Sequence, residues 1–199
     1  MTLMSASEQG VAAEIVARTL DQAAALHQRM RGLDAASVVK AAGAVREAIE
    51  NGGKVLAFGN GGSAADAQHL TTELVGRFQK ERAGFAALAL TADSSLLTSL
   101  ANDYGFERIF ARQIEALGRA GDVAFAITTS GTSPNVVRGL EAARGRGMRT
   151  VALTGRDGGE AGRVAEIHIN VPDDRTPRVQ EVHITLIHAL CEIVEGDRE

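Results

Sequence analysis

Five short apolar runs divide the chain: Val55–Phe58, Ala86–Leu90, Val123–Ile127, Thr150–Thr154 and Ile167–Val171. Between and after them lie stretches whose apolar residues recur at helical spacing, at about residues 64–78, 94–101, 106–117, 134–146 and 178–194. Short apolar strands alternating with amphipathic helices predict βαβ units and a parallel sheet covered on both faces. The first 50 residues read as helical in two segments. Val11, Ile15, Leu20, Ala24 and Leu26 mark one, and Val38, Val39, Ala42, Val45 and Ile49 the other. Leu33-Asp34 lies between them, and Asn51-Gly52-Gly53 ends the second. There is no internal repeat, linker or low-complexity tract. The chain is therefore expected to form one domain over residues 1–199: helices over 1–50, which pack on the sheet or on another subunit, and an α/β core over 51–199.

Composition narrows the class. With 45% hydrophobic and 23% charged residues the chain is in the range of an ordinary soluble globular protein. A formal net charge of −4 argues against general affinity for nucleic acid, which would leave a basic stripe, but not against a small anionic substrate. Cys191 is the single cysteine, so no intramolecular disulfide forms. Residues 1–20 carry Glu8, Glu14 and Arg18 and have no basic segment followed by an apolar run, so no secretion signal is read there. No apolar stretch approaches the roughly 20 residues of a membrane span. The expected compartment is the reducing cytoplasm.

Two strand ends carry unusual loops. The first is Gly59-Asn60-Gly61-Gly62-Ser63, just before a helix. Glycines let a ligand approach the main chain, and the first-turn N–H groups of the helix face an anion with the helix dipole behind them. The second gathers Thr128, Thr129, Ser130 and Ser133 around Gly131, with Pro134 suited to the first helical position after a Ser133 N-cap. Neither loop has the spacing of a P-loop or of a dinucleotide fingerprint. Each loop alone is equally consistent with a routine strand-to-helix turn. Two on one sheet favour a phosphate cradle.

His69 and Glu73 stand four apart on one helix, where they share a face and can meet one ligand or metal, or simply form a surface pair. The last helix holds Gln180, Glu181, His183 and His188 among apolar neighbours. Gln180 and His188 are eight apart, about 12 Å along an ideal helix and about 80° around it, which is awkward for one shared ion within a single helix. His183 and His168 read as structural, and Cys191 as a small core hydrophobe. Asn102-Asp103-Tyr104-Gly105 reads as an Asx-type turn.

These residues together resemble a known family, the sedoheptulose 7-phosphate (phosphoheptose) isomerases of the sugar-isomerase, or SIS, superfamily. The resemblance runs from about Val11 to Val194. Its most specific stretches are GNGGSAADAQH (Gly59 to His69), Glu73, ANDYGF (Ala101 to Phe106), GDVAFAITTSGTSPNV (Gly121 to Val136), Leu153-Thr154-Gly155 to Gly158-Gly159, and TPRVQEVHITLIH (Thr176 to His188). It implies a flavodoxin-like three-layer α/β/α sandwich on a central five-stranded parallel sheet. It also implies a homotetramer with active sites and N-terminal helices at subunit interfaces. Asn60, Gly61, Gly62, Asn102, Asp103, Thr128, Thr129, Ser130, Ser133 and Gln180 match substrate-contacting positions. His69, Glu73, Gln180 and His188 match the positions that bind one zinc ion per subunit. Thr128 stands where the family loop usually has Ser, which keeps the hydroxyl, and Pro177 stands where some members have Asp.

The implied reaction interconverts D-sedoheptulose 7-phosphate and D-glycero-D-manno-heptose 7-phosphate through an enediol, the first step toward nucleotide-activated heptose. Glu73 and His188 are the expected acid–base pair, with Glu73 as base. A carboxylate bound tightly to zinc is a poorer base, so the two roles of Glu73 compete. Two other functions share the fold. A regulator that associates with the replication initiator lacks the groups found here at Glu73, His188 and Ser130. SIS isomerases of other phosphosugars share the phosphate loops but not the set His69, Glu73, Gln180 and His188.

Overall fold

Five parallel strands form one sheet in the order β2-β1-β3-β4-β5. They are β1 Val55–Gly59, β2 Ala87–Ala89, β3 Val123–Thr128, β4 Arg149–Gly155 and β5 Ile167–Val171. This computed structural model describes residues 4–31 and 35–196, so Leu33 and Asp34, read as the break between the opening helices, lie outside the described residues. The register pairs Val55 with both Ala87 and Val123, Val123 with Arg149, and Val151 with Ile167. The expected strand over 86–90 is narrower, at Ala87–Ala89, although Val55 N–H donates to Ala86 O and Leu90 N–H to Ala57 O at its two ends.

Strand residues point alternately to opposite faces, and the core divides accordingly. Val55, Ala57, Phe125, Ile127, Val151 and Leu153 pack toward α2 (Ala36–Glu50), α3 (Gly62–Val75) and α8 (Thr176–Glu195). Leu56, Phe58, Ala124, Ala126 and Ala152 face α5 (Ile109–Leu117), α6 (Pro134–Gly145) and α7 (Gly159–Val164). The result is the expected three-layer α/β/α sandwich. Alanines on the second face let its helices approach closely. Gly139 of α6 lies so near the sheet that an added Cβ would fall 2.8 Å from the Phe58 ring.

The chain divides into two compact units, Met1–Asp34 and Ala35–Glu199. The first contains α1 (Ala6–Arg31). Ser5 and Glu8 start it reciprocally: Ser5 N–H donates to the Glu8 carboxylate (2.7 Å) and Glu8 N–H to Ser5 Oγ (3.4 Å). Val11, Ile15, Val16 and Leu20 are exposed along α1.

Three local readings change. Helix α4 runs Ser94–Tyr104, so Asn102 and Asp103 occupy its last turn rather than an Asx turn, and the stop is Gly105 at φ 83°. Phe106–Arg108 is a 3-10 turn ahead of α5. Helix α7 was not expected, because its six residues hold too few apolar positions for a period to register.

Replacing Gly139 with Val puts branched carbons where the Phe58 ring now lies. Overpacking of this kind costs about 2 kcal/mol. The urea midpoint of G139V is expected to fall accordingly, and an unchanged midpoint would contradict the close packing of α6 on β1.

Candidate functional site

The strand order reverses between β1 and β3, and in open α/β sheets ligands bind beyond the carboxyl ends of the strands at such a switch point. Both loops singled out in the sequence stand there. Asn60 and Asn135 join them by exchanging amide hydrogen bonds: Asn60 Nδ2 donates to Asn135 Oδ1 (2.9 Å) and Asn135 Nδ2 to Asn60 Oδ1 (2.8 Å). Asn135 is buried. The two residues also line a cleft of about 500 Å³ with Ser133, Pro134, Phe106 and Glu107. Asn102 and Asp103, at the end of α4, are exposed and bond to each other, Nδ2 to Oδ1 at 2.8 Å.

In the first loop Gly61 adopts φ 56°, a left-handed conformation that favours glycine. Ser63 N–H and Ala64 N–H already donate to Asn60 O and Gly61 O, both at 3.0 Å, and Ala65 N–H to Gly61 O at 3.3 Å. The amides left for an anion are therefore those of Gly61 and Gly62, fewer than the whole first turn. Gln180 of α8 covers Gly62: a Cβ there would collide with its amide.

In the second loop Thr128 Oγ1 lies 3.5 Å from Ser130 Oγ and 3.4 Å from Ser133 Oγ. Thr132 N–H donates to Ser130 Oγ at 3.2 Å. These are long, loose contacts for hydroxyls, which can turn to a better acceptor. Ser133 occupies the N-cap position of α6, but its side chain makes no capping bond because it is turned toward Thr128. Thr129 presents its carbonyl to Gly155, and Gly131 backs onto Gly158, so the β3 loop rests on the β4 loop.

His69, Glu73 and His188 come together from α3 and α8, each with a ligand atom within 4.8 Å of the others. His69 Nε2 lies 3.0 Å from Glu73 Oε1 and 3.0 Å from His188 Nε2. A single N–H on His69 can point to only one of these neighbours. A cation would satisfy all three, and two imidazole nitrogens with a carboxylate oxygen are a donor set that suits zinc. The side chains of His69 and Glu73 are 43% and 19% exposed, so the cluster is open to ligand.

Three further residues belong to this site. Asp66 sits one turn before His69 on α3. Burial pushes its carboxyl up to about 6, with nearby His69 pulling the other way, and its Oδ2 is buried with no partner. Its i to i+3 spacing from His69 was a usable signal. The Phe78 ring lies 5.4 Å from that of His188. Asn135 gave no signal, since its pairing with Asn60 spans 75 positions.

A family model for the SIS domain matches residues 19–155. The phosphoheptose isomerase of Aquifex aeolicus is 58% identical over 163 residues, covering 82% of this chain and 85% of that protein. The phosphoheptose isomerase of Bordetella avium is 55% identical over 159 residues, 76% of this chain and 81% of that one. The solved structure of phosphoheptose isomerase GmhA from Neisseria gonorrhoeae superposes with a TM-score of 0.87 at 45% identity, covering 92% of this chain and 98% of that one.

Beneath the site, His183 is fully buried and its Nε2–H donates to Thr154 O (2.9 Å). Burial lowers its pKa from 6.5 to about 4, against the opposing pull of that hydrogen bond. Between those values the unfolded chain binds the proton and the folded chain does not, so stability falls as pH drops through that window. Between pH 7 and pH 5 the parent is expected to lose about 2 kcal/mol more than His183→Gln in urea unfolding. Equal losses would contradict a neutral buried imidazole.

Proposed function

The chain belongs to the SIS domain family and, within it, to the phosphoheptose isomerases, and on that basis we propose that it interconverts D-sedoheptulose 7-phosphate and D-glycero-D-manno-heptose 7-phosphate. The observation that carries the substrate class is the hydroxyl cluster at the tip of β3 beside the glycine loop of β1. Hydroxyls of Thr128, Ser130 and Ser133, with Thr129 beside them, take the phosphate oxygens, and the amides of Gly61 and Gly62 complete the cradle. Asn60, Asn102 and Asp103 bind the sugar hydroxyls.

Ketose and aldose differ by one proton on carbon and one on oxygen. Glu73 removes a proton from C1 of the ketose while the C2 oxygen gains one, which gives the enediol. Delivery to C2 of a proton from Glu73, exchanged with water in the open site, with loss of the proton on O1, yields the aldose. His188 supplies and recovers the oxygen proton. His69 holds Glu73 Oε1 at 3.0 Å, which leaves the other carboxylate oxygen for substrate. His69, Glu73 and His188 would hold zinc, which when bound polarises the substrate carbonyl; Gln180 lies against Gly62 in the same chain and would join them only from another copy.

The triad begins about 10 Å along α3 from Gly62, counting seven residues of helix rise. That separation supports sites completed by more than one copy of the chain. The exposed apolar residues of α1 support the same reading, a homotetramer of single SIS domains. A phosphorylated heptose as substrate supports a cytoplasmic enzyme.

The test is ¹H NMR of the purified protein with sedoheptulose 7-phosphate and a panel of other ketose phosphates. Turnover of a different phosphosugar in preference to the heptulose would overturn the substrate assignment. Glu73→Gln is expected to lower kcat by at least about a hundredfold with the fold intact by circular dichroism. Near-parental turnover would reject Glu73 as base. Ser130→Ala, which removes a hydroxyl from a charged oxygen, is expected to raise KM about tenfold. An unchanged KM would count against the phosphate loop.

A further inference from the structure

The loop after α3 is held by a buried ion pair that touches no side chain assigned to the reaction, although it bonds the main chain of Glu73. Glu195, the last residue of α8, is 4% exposed. Its carboxylate accepts the backbone N–H groups of Phe78 (2.8 Å), Gln79 (3.0 Å) and Lys80 (3.1 Å), and Arg82 Nε at 3.1 Å. Arg82 turns its remaining nitrogens to the end of α3 and to its own loop. Nη2 donates to Glu73 O (2.7 Å), and Nη1 to Leu74 O (2.9 Å) and Ala83 O (3.1 Å). The guanidinium carbon lies 3.8 Å from the centre of the Phe85 ring.

The last carbonyls of a helix need partners, and here a single fixed guanidinium supplies one to Glu73 O and one to Leu74 O, the latter also accepting Phe85 N–H. Among its main-chain acceptors the shortest bond goes to Glu73, a member of the triad. The same clamp reaches the opposite helix. Glu195 fixes the N–H of Phe78, whose ring stands against His188. One pair of charges thus constrains the helix bearing His69 and Glu73 and the ring that abuts His188. We propose that Arg82 and Glu195 are positioning residues that set the spacing of His69, Glu73 and His188 for a divalent cation. The proposal rests on reading the triad as a zinc-holding set.

A clamp that only added stability would affect the triad no more than any equally costly core change. The test compares zinc affinity of the full-length protein, by competition with a chromophoric chelator, in the parent, Glu195→Gln and Leu140→Ala. Gln at 195 places an NH₂ among N–H donors. Leu140 lies in the helical layer across the sheet and destabilises without touching the clamp. Supporting groups around metal ligands change affinity about 10- to 100-fold. E195Q is expected to bind zinc at least about tenfold more weakly, while L140A keeps the parental affinity despite a lower melting temperature. Equal affinity in the parent and E195Q overturns the proposal, as does an equal loss in L140A. A parent that binds no zinc removes the reading of the triad itself, and this inference with it. If E195Q does not fold, Arg82→Lys replaces it in the same comparison. Lysine keeps a charge opposite Glu195 but cannot span the α3 carbonyls, so undiminished affinity in R82K overturns the proposal equally.

Discussion

Two neighbouring parallel strands whose connections leave toward opposite faces must open a crevice between their tips. Here those strands are β1 and β3: α3 packs into one helical layer and α6 into the other. The divergence leaves room for a ligand and directs both helix starts at it. Asn60 and Asn135 then tie the two loops together across the opening. Everything assigned to substrate binding depends on that opening.

The cradle is notable for what it lacks. Residues 59–63 and 128–133 contain no lysine or arginine, and the chain as a whole is acidic at −4. A phosphate bound here would be held by neutral hydroxyls and backbone amides. Such donors work only when fixed in advance, because they bring no long-range attraction. This explains why the loops brace each other, with Gly131 pressed on Gly158 and Gly155 under Thr129. In the proposed mechanism cationic charge would come from an ion held by the His69, Glu73 and His188 cluster.

Most of this frame was legible in the sequence because its signals are local. Strand and helix periods placed all five strands, and i to i+4 spacing paired His69 with Glu73. The resemblance of several ordered motifs added His188, whose approach to His69 across 119 positions no periodicity could reveal. What escaped is tertiary or depends on competition between partners. The bond between Asn60 and Asn135 needs two separate loops to meet. Ser133 has the right identity for a cap, yet its hydroxyl faces Thr128. The run Ala101–Tyr104 continues α4 because Gly105, rather than the polar pair before it, supplies the left-handed stop. Helix α7 is too short for its pattern to stand out.

The central claim is a proton moved between adjacent carbons through an enediol in this crevice. Isomerisation of sedoheptulose 7-phosphate in D₂O, followed by NMR, tests it directly. The account predicts aldose labelled with deuterium at C2, and deuterium entering C1 of the remaining ketose. Aldose formed with hydrogen fully retained at C2, and no exchange into the ketose, would contradict transfer through a solvent-exchanging Glu73.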